Sequence, residues 1–550
     1  MFKITKKRTV IILILILGSL VRLLNLSTLP PSLNWDEVSH GYNAFSILKT
    51  GRDEWGMGYP LLFRAYGDYK LPTYIYITAV AEKILGLTPL AVRLTSALAG
   101  IGSILILYLI VIKLFPNNWS IAWLSALLLA VSPWSVFISR VALEGNLAYF
   151  FCLLGLFLLL KQRYTSGFIA LVLALYTYYI FRLFVPMILV LGWSLYRSSG
   201  LFDKITGRGR IGLGIMILSM GLVIYQTLFG QGSARYNLIG LIDAGAVERI
   251  GQLREAVSLP DPIPRFLVNK ITVGLVLFLN NYVSYFRPDY LFVSGGTNYQ
   301  FSLPNYGLIY WFNGPFLAIG LFFVGKRLFS RETNKELLSF KVFLGWLVIA
   351  PIAASLTRDS PHPLRSLIML PPLLAFISLG IVVTKKWLSK YHPALVGGLL
   401  AVVIVINLLM LLNFWKRYET YSAKFSWAWQ YGYSQVIAIV RERYLSEDTI
   451  IITKKYGEPH EFLLFYWPWD PQKYQSDKRL VRYFQSNWYW VDGFDKFVFI
   501  NDWEIKQKQP KITIPDKTLL ITSPGNYIGG TLIESIKLLD GQPAFDIVQL

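Results

Sequence analysis

The sequence predicts a polytopic α-helical membrane protein with a soluble α/β domain at its C-terminal end. Three observations carry that reading. Apolar runs long enough to cross about 30 Å of hydrocarbon recur through the first three quarters of the chain. Of 550 residues 54% are apolar and only 15% charged, and the mean hydropathy of +0.47 excludes an ordinary soluble enzyme. Beyond residue 414 polar and charged residues return, with short β-rich runs at Thr449–Thr453, Lys496–Ile500 and Thr518–Thr522. A net charge of +21 would raise nucleic acid as a partner. Much of the excess, however, lies in short loops between apolar spans, where membrane orientation accounts for it. The single cysteine, Cys152, sits inside an apolar run, so there is no disulfide framework and no Cys/His zinc pattern.

The first span covers roughly 9–26. Lys3, Lys6, Lys7 and Arg8 precede it, which places the N-terminus in the cytoplasm. Leu23-Leu24-Asn25-Leu26-Ser27 offers no small-residue cleavage site, so the span is read as retained. An outer segment, 27–88, follows, and then spans at about 90–112, 119–138 and 145–160. Residues 166–197 form one apolar stretch, long for one crossing and short for two. Lys161 and Arg163 lie before it, and Arg197, Lys204, Arg208 and Arg210 after it. Keeping both clusters inside requires two crossings, turning near Phe181 and Arg182. A seventh span covers about 211–229. Asn269, Lys270, Asn280 and Asn281 interrupt 267–286, and a crossing there would put Lys326, Arg327, Arg331 and Lys335 outside. Residues 230–307 are therefore read as a second outer loop with interfacial helices. Spans eight to eleven fall at about 308–325, 341–357, 367–384 and 394–413. Eleven spans leave the C-terminus outside.

The expected domains are thus a membrane part, 1–413, and an outer α/β part, 414–550, with a helix over Trp427–Tyr444. The outer part has no glycine-rich nucleotide signature. Tyr466, Trp467, Trp469, Trp488, Tyr489 and Trp490 could stack on sugars, but core and interfacial packing is the favoured reading.

The stretch that organises the rest is Asn34-Trp35-Asp36-Glu37-Val38-Ser39-His40-Gly41-Tyr42. Pro30 and Pro31 break any helix leaving the first span, and Ser32 or Asn34 can cap a new one. Val38, Tyr42, Phe45 and Leu48 recur at steps of three and four, one apolar face of an amphipathic helix. Asp36 and Glu37 then stand in its first turn, where the helix dipole favours a carboxylate.

Positive charge returns to the same outer side: Lys70 beside Tyr69, Arg93, Arg140 with Glu144, Arg182, and Arg365 with His362. Short outer loops are normally poor in cations, and snorkelling at span ends accounts for any one of these. Together they would make an anion site suited to phosphate oxygens. An anion at a membrane surface attached to something hydrophobic is a lipid phosphate. If it carries a sugar, transfer calls for cations on the leaving phosphate and one carboxylate to take the proton of an acceptor hydroxyl.

On these residues the chain resembles the GT-C glycosyltransferases, and within them the protein O-mannosyltransferase and lipid A aminoarabinose transferase group. Trp35-Asp36-Glu37 is similar to that group's Asp-Glu motif, and Lys70-Leu71-Pro72-Thr73-Tyr74 to its Lys-Pro-Pro stretch, with Leu71 in place of the first proline. Arg93-Leu94-Thr95-Ser96-Ala97, Ser139-Arg140-Val141-Ala142 and His362–Arg365 are further points of likeness. The resemblance implies a polyprenyl-phosphate-linked sugar donor and a protein, lipid or polysaccharide acceptor. It places Asp36 as the base or the acceptor-orienting carboxylate of an inverting transfer, with Glu37 beside it, and Lys70 on the lipid phosphate. It implies a plasma-membrane location with an extracytoplasmic site.

Other readings stand beside it. A transporter or flippase of lipid-linked glycans would place charges at mid-membrane and show inverted repeats, and neither is visible. A sensor or assembly protein would not need the acidic pair. No cofactor is certain from the sequence, and a divalent metal is the one weighed and not favoured. Asp36 and His40, at i and i+4, could share a divalent metal, although a histidine at that spacing is more often a hydrogen-bonding residue.

Overall fold

Prolines mark where many helices begin. Pro72, Pro89, Pro133, Pro288, Pro363, Pro393, Pro459 and Pro471 each open one, the position where a missing N–H costs nothing. The computed structural model describes residues 2–197, 205, 207–230, 239–256, 260, 262–329, 335–508 and 517–550. Lys204 and Arg331, two of the cations used to orient the spans, lie outside these residues. By contacts the chain divides into two compact units. The first comprises Met1–Arg22, Leu98–Ser139 and Glu144–Phe414, and the second Leu23–Ala97, Arg140–Leu143 and Trp415–Leu550.

The first unit is helical and apolar, that of a multi-pass membrane protein. Over the described residues of the whole chain, six helical stretches are long and apolar enough to cross a membrane. The bent pair Trp119–Val131 and Pro133–Ser139, at 54°, makes a seventh. The eleven expected spans are therefore not matched one for one, because several of the apolar helices are short. Glu144–Leu160, Tyr164–Leu175 and Ile180–Tyr196 have 17, 12 and 17 residues. The stretch 166–197 does divide in two, with the break at 176–179, a little before Phe181.

Ile263–Phe292, one of the six stretches long and apolar enough to cross, contains the residues 267–286 that were read as interfacial. Two of the four interrupting polar residues, Asn269 and Asn281, have partners within the fold. Asn269 caps the helix Lys270–Ser284 in a box with Thr272, and the Asn281 amide donates to the Ser355 and Thr357 carbonyls at 3.2 and 3.0 Å.

Two features fix the packing of this unit. Helices Gly314–Leu328 and Leu370–Leu388 cross so closely at Gly320 and Gly380 that a methyl group on either would collide with the opposite backbone, at Phe376 or Phe316. At the bend before Pro133, the proline cannot donate to the Leu129 carbonyl, and the Trp134 N–H turns to Leu308. The buried Arg22 guanidinium takes over, donating to the Leu129 and Ala130 carbonyls at 3.1 and 2.9 Å and to Ser135 Oγ at 2.8 Å.

The second unit is built on a seven-stranded sheet in the order β4-β5-β6-β3-β7-β9-β8. Its strands are β3 (Thr449–Thr453), β4 (Val481–Gln485), β5 (Trp488–Phe494), β6 (Phe497–Ile500), β7 (Thr518–Thr522), β8 (Thr531–Lys537) and β9 (Pro543–Gln549). A hairpin of β1 (Phe63–Ala65) and β2 (Asp68–Lys70) stands apart from it. Strand β3 runs parallel to β6 and β7, and the other pairings are antiparallel. The central β3 and β7 are buried along almost their whole length, as parallel strands covered on both faces are. The helix expected over Trp427–Tyr444 is shorter, Tyr433–Arg443, because Gln430 and Gly432 adopt positive φ and end any helical run before it.

Residues 23–97 pack into this same unit. Gly41 faces Phe465 and Val92 so closely that any side chain would collide, and the Tyr42 hydroxyl donates to the Trp469 carbonyl at 3.2 Å. Tyr66 stacks on Trp488 with ring centres 5.6 Å apart, and Tyr69 and Tyr489 join hydroxyls at 2.9 Å. The Arg64 guanidinium lies over the rings of Trp55 and Tyr489. Trp488 and Tyr489 thus make contacts within the unit while remaining half-buried.

Candidate functional site

The acidic stretch begins the helix Trp35–Thr50, and Asn34 is its N-cap. Asn34 Oδ1 accepts from the Glu37 N–H at 2.9 Å, and Glu37 Oε2 accepts from the Asn34 N–H at 3.1 Å, a complete capping box. Glu37 does more than cap. Its Oε1 accepts from the Ala142 N–H at 2.9 Å and from Arg93 Nε at 2.9 Å, while its Oε2 receives Arg93 Nη2 at 3.0 Å. The remaining Arg93 donors go to the carbonyls of Leu26, Pro30 and Ser32, so all five are engaged. Both side chains are fully buried. Glu37 and Arg93, expected in catalytic and phosphate-binding parts, hold one another and the Pro30-Pro31 turn instead of facing solvent.

Asp36, one position earlier on the helix, points elsewhere. Its Oδ1 lies 2.6 Å from Lys70 Nζ, with 25% of its side chain exposed and 11% of the lysine's. Lys70 is the last residue of β2, next to Leu71, the N-cap of the helix Pro72–Leu85. Leu71 in place of a proline leaves that geometry intact, because Pro72 already occupies the first helical position. Tyr69 precedes it with its hydroxyl against Tyr489.

Arg140, expected among the phosphate ligands, belongs to the same unit but is held otherwise. It donates to the Asn25 and Leu29 carbonyls at 3.2 and 2.8 Å, its guanidinium lies 4.8 Å from the Trp415 ring centre, and it is buried. His40 is buried with its ring 5.1 Å from that of Tyr74. The other candidates belong to the first unit. Glu144 opens the helix Glu144–Leu160 and is buried. The Arg182 guanidinium lies over Tyr179. Arg365 donates to Thr357 Oγ1 at 2.8 Å and reaches Asp359 at 3.4 Å, and His362 packs on Phe301. Of the expected set, then, the structure joins Asp36 with Lys70 and Glu37 with Arg93. Among the described residues, the three-residue group able to hold a metal is Glu54, His460 and Glu461, not one containing Asp36 and His40. Sequence reading missed it because its members are about 400 positions apart.

No family model matches this chain, and no curated protein sequence matches it. Solved structures that resemble it include ArnT and archaeal oligosaccharyltransferase. ArnT from Cupriavidus metallidurans, bound to undecaprenyl phosphate, is 12% identical with a TM-score of 0.49, covering 98% of this chain and 97% of that one. The Archaeoglobus fulgidus oligosaccharyltransferase tethered with an acceptor peptide is 14% identical with a TM-score of 0.47, over 84% of this chain and 63% of that one. AglB from the same organism, in complex with an inhibitory peptide and a dolichol-phosphate, is 12% identical with a TM-score of 0.48. This chain spans 63–64% of the length of those oligosaccharyltransferases.

Proposed function

We propose that this protein is a membrane glycosyltransferase of GT-C type that moves a sugar from a polyprenyl-phosphate donor to an acceptor hydroxyl at the outer face of the plasma membrane. The observation that carries the reading is the partly exposed pair of Asp36 and Lys70, an acid and a cation side by side on a rigid frame. Lys70 supplies the charge that binds the donor phosphate and balances the phosphate as it leaves. Asp36 takes the proton of the acceptor hydroxyl while its oxygen attacks the anomeric carbon and the bond to the lipid phosphate breaks. Attack opposite the leaving group inverts the sugar. Donor binding has a further effect in this arrangement, since a phosphate drawn to Lys70 competes with Asp36 and releases the carboxylate toward the acceptor.

Glu37 and Arg93 are positioning residues in this scheme. They hold the start of the helix so that Asp36 faces outward at a fixed place, and no proton moves through them. The test is transfer from labelled polyprenyl-phosphate sugars by purified protein in detergent, with Asp36→Asn beside the wild type. Equal activity in the two would overturn the mechanism.

A further inference from the structure

Four side chains outside this scheme converge in the second unit. Glu54 comes from the loop after the helix Trp35–Thr50, and Glu458, His460 and Glu461 from the start of the helix Pro459–Tyr466. One ligand atom each from Glu54, His460 and Glu461 lies within 4.8 Å of the others. The three residues are only 1%, 3% and 2% exposed. His460 Nε2 is 3.5 Å from Glu54 Oε1, and its Nδ1 is 3.5 Å from Glu458 Oε2. Glu458 in turn accepts a hydrogen bond from Trp488 Nε1 at 2.6 Å, and the Glu54 N–H is fixed by Asn43 Oδ1 at 3.0 Å.

Oε2 of Glu54 and Oε2 of Glu461 are buried in this cluster without a hydrogen bond. Native interiors rarely leave such atoms unmet, and two buried carboxylates facing one another call for a cation or a shared proton.

We infer that Glu54, His460 and Glu461 bind a divalent metal ion of the zinc type, joining the first outer segment to the C-terminal sheet domain. A dication offsets the charge of the two facing carboxylates, which lowers the cost of burying them together. The imidazole selects a first-row transition ion over magnesium or calcium, which take oxygen ligands. Glu458 then plays the outer carboxylate of a carboxylate–histidine–metal triad, fixing the tautomer that presents Nε2 to the ion. The three ligands leave a fourth tetrahedral position for water. The assigned role is a clip within the fold, separate from the chemistry at Asp36.

The experiment uses the full chain purified in detergent through a tag free of histidine, stripped with EDTA and titrated with Zn²⁺. Wild type should retain about one zinc per chain after gel filtration, the stoichiometry of a single structural site. Its unfolding midpoint should rise by ~4 °C or more at saturating zinc, with no rise for Mg²⁺ at equal concentration. Glu54→Gln, His460→Gln and Glu461→Gln should each lose the bound zinc and the shift. X-ray absorption of the wild-type zinc should show imidazole in the coordination shell, a readout that stands if a variant fails to fold. A shared proton predicts the opposite: no stoichiometric zinc, no shift, and Glu461→Gln at least as stable as stripped wild type. That result, or zinc retained undiminished by His460→Gln, overturns the inference.

Discussion

Lys70 Nζ stands 2.6 Å from Oδ1 of Asp36, so the acid at the start of the helix Trp35–Thr50 and the cation at the end of β2 form one unit. Its neighbour Glu37 is bound just as closely, to Arg93, yet differs in the one respect that matters for chemistry. The Glu37–Arg93 pair is sealed from solvent on both sides, whereas a quarter of the Asp36 side chain is open. Adjacent acids on one helical turn thus differ in access, one sealed with its arginine and the other open at its lysine.

Replacing Asp36 by Asn should lower transfer by at least about 10²-fold, the ordinary contribution of a general base. Donor affinity should hold or improve, because Lys70 then meets the phosphate without a competing carboxylate. Single-turnover transfer and donor binding, measured separately, distinguish this from a general loss of the site. Weaker donor binding in Asp36→Asn would count against the competition between carboxylate and phosphate.

Lys70→Met should weaken binding of a polyprenyl phosphate by about 1.5–3 kcal/mol, the range for a hydrogen bond to a charged group. Lys70→Arg should recover part of it. A snorkelling lysine would leave affinity unchanged.

Glu37→Gln and Arg93→Leu should each destabilise the protein by about 3–5 kcal/mol, since each leaves a buried charge without its partner. Changing both together should cost less than the sum of the two. Thermal unfolding in detergent, arranged as a double-mutant cycle, checks this.

How much of this was open to sequence reading follows from distance along the chain. The helix cap, the acidic pair, Lys70 and three of the strands are local patterns, and short-range spacing contains them. The Glu37–Arg93 pair joins positions 56 residues apart, and nothing in periodicity says which cation an acid will choose. Arg140 is illegible for the same reason: in sequence, an arginine beside a span end looks the same whether it meets a phosphate or, as Arg140 does, main-chain carbonyls and a tryptophan ring. In 267–286 the asparagines read as a bar to crossing, and sequence alone does not reveal the capping and carbonyl contacts that satisfy Asn269 and Asn281.

A pH effect on stability follows from Glu82, on the helix Pro72–Leu85, which is not one of the membrane spans. Burial alone pushes its carboxyl from 4.5 to about 9. Below about pH 4.5 the folded and unfolded states both carry the proton and stability is full. As pH rises toward 9 the unfolded chain ionises while the folded one does not, so stability falls, and above that it levels off. Glu82→Gln should flatten this slope between pH 5 and about 9. An unchanged slope in the variant would assign it to other groups.

The proposed orientation can be read with cysteines, because the native Cys152 is buried and silent. Ser476→Cys, exposed in the sheet domain, should react with a membrane-impermeant maleimide in intact cells. Ser389→Cys, beside Lys385 and Lys386, should react only after lysis. The reverse pattern would invert the orientation of both.

The engagement of Arg22 with the bend at Pro133 also sets an order of assembly. The carbonyls that receive its guanidinium belong to Leu129 and Ala130, more than a hundred residues later in synthesis. Until those residues leave the ribosome, the guanidinium lacks these partners, and a long side chain can wait at an interface. The first helix is therefore expected to reach its final setting only once the segment with the bend has been made. Arg22→Leu should remove that dependence, letting the first helix insert stably in chains truncated before residue 129 while leaving the completed bend at Pro133 less stable.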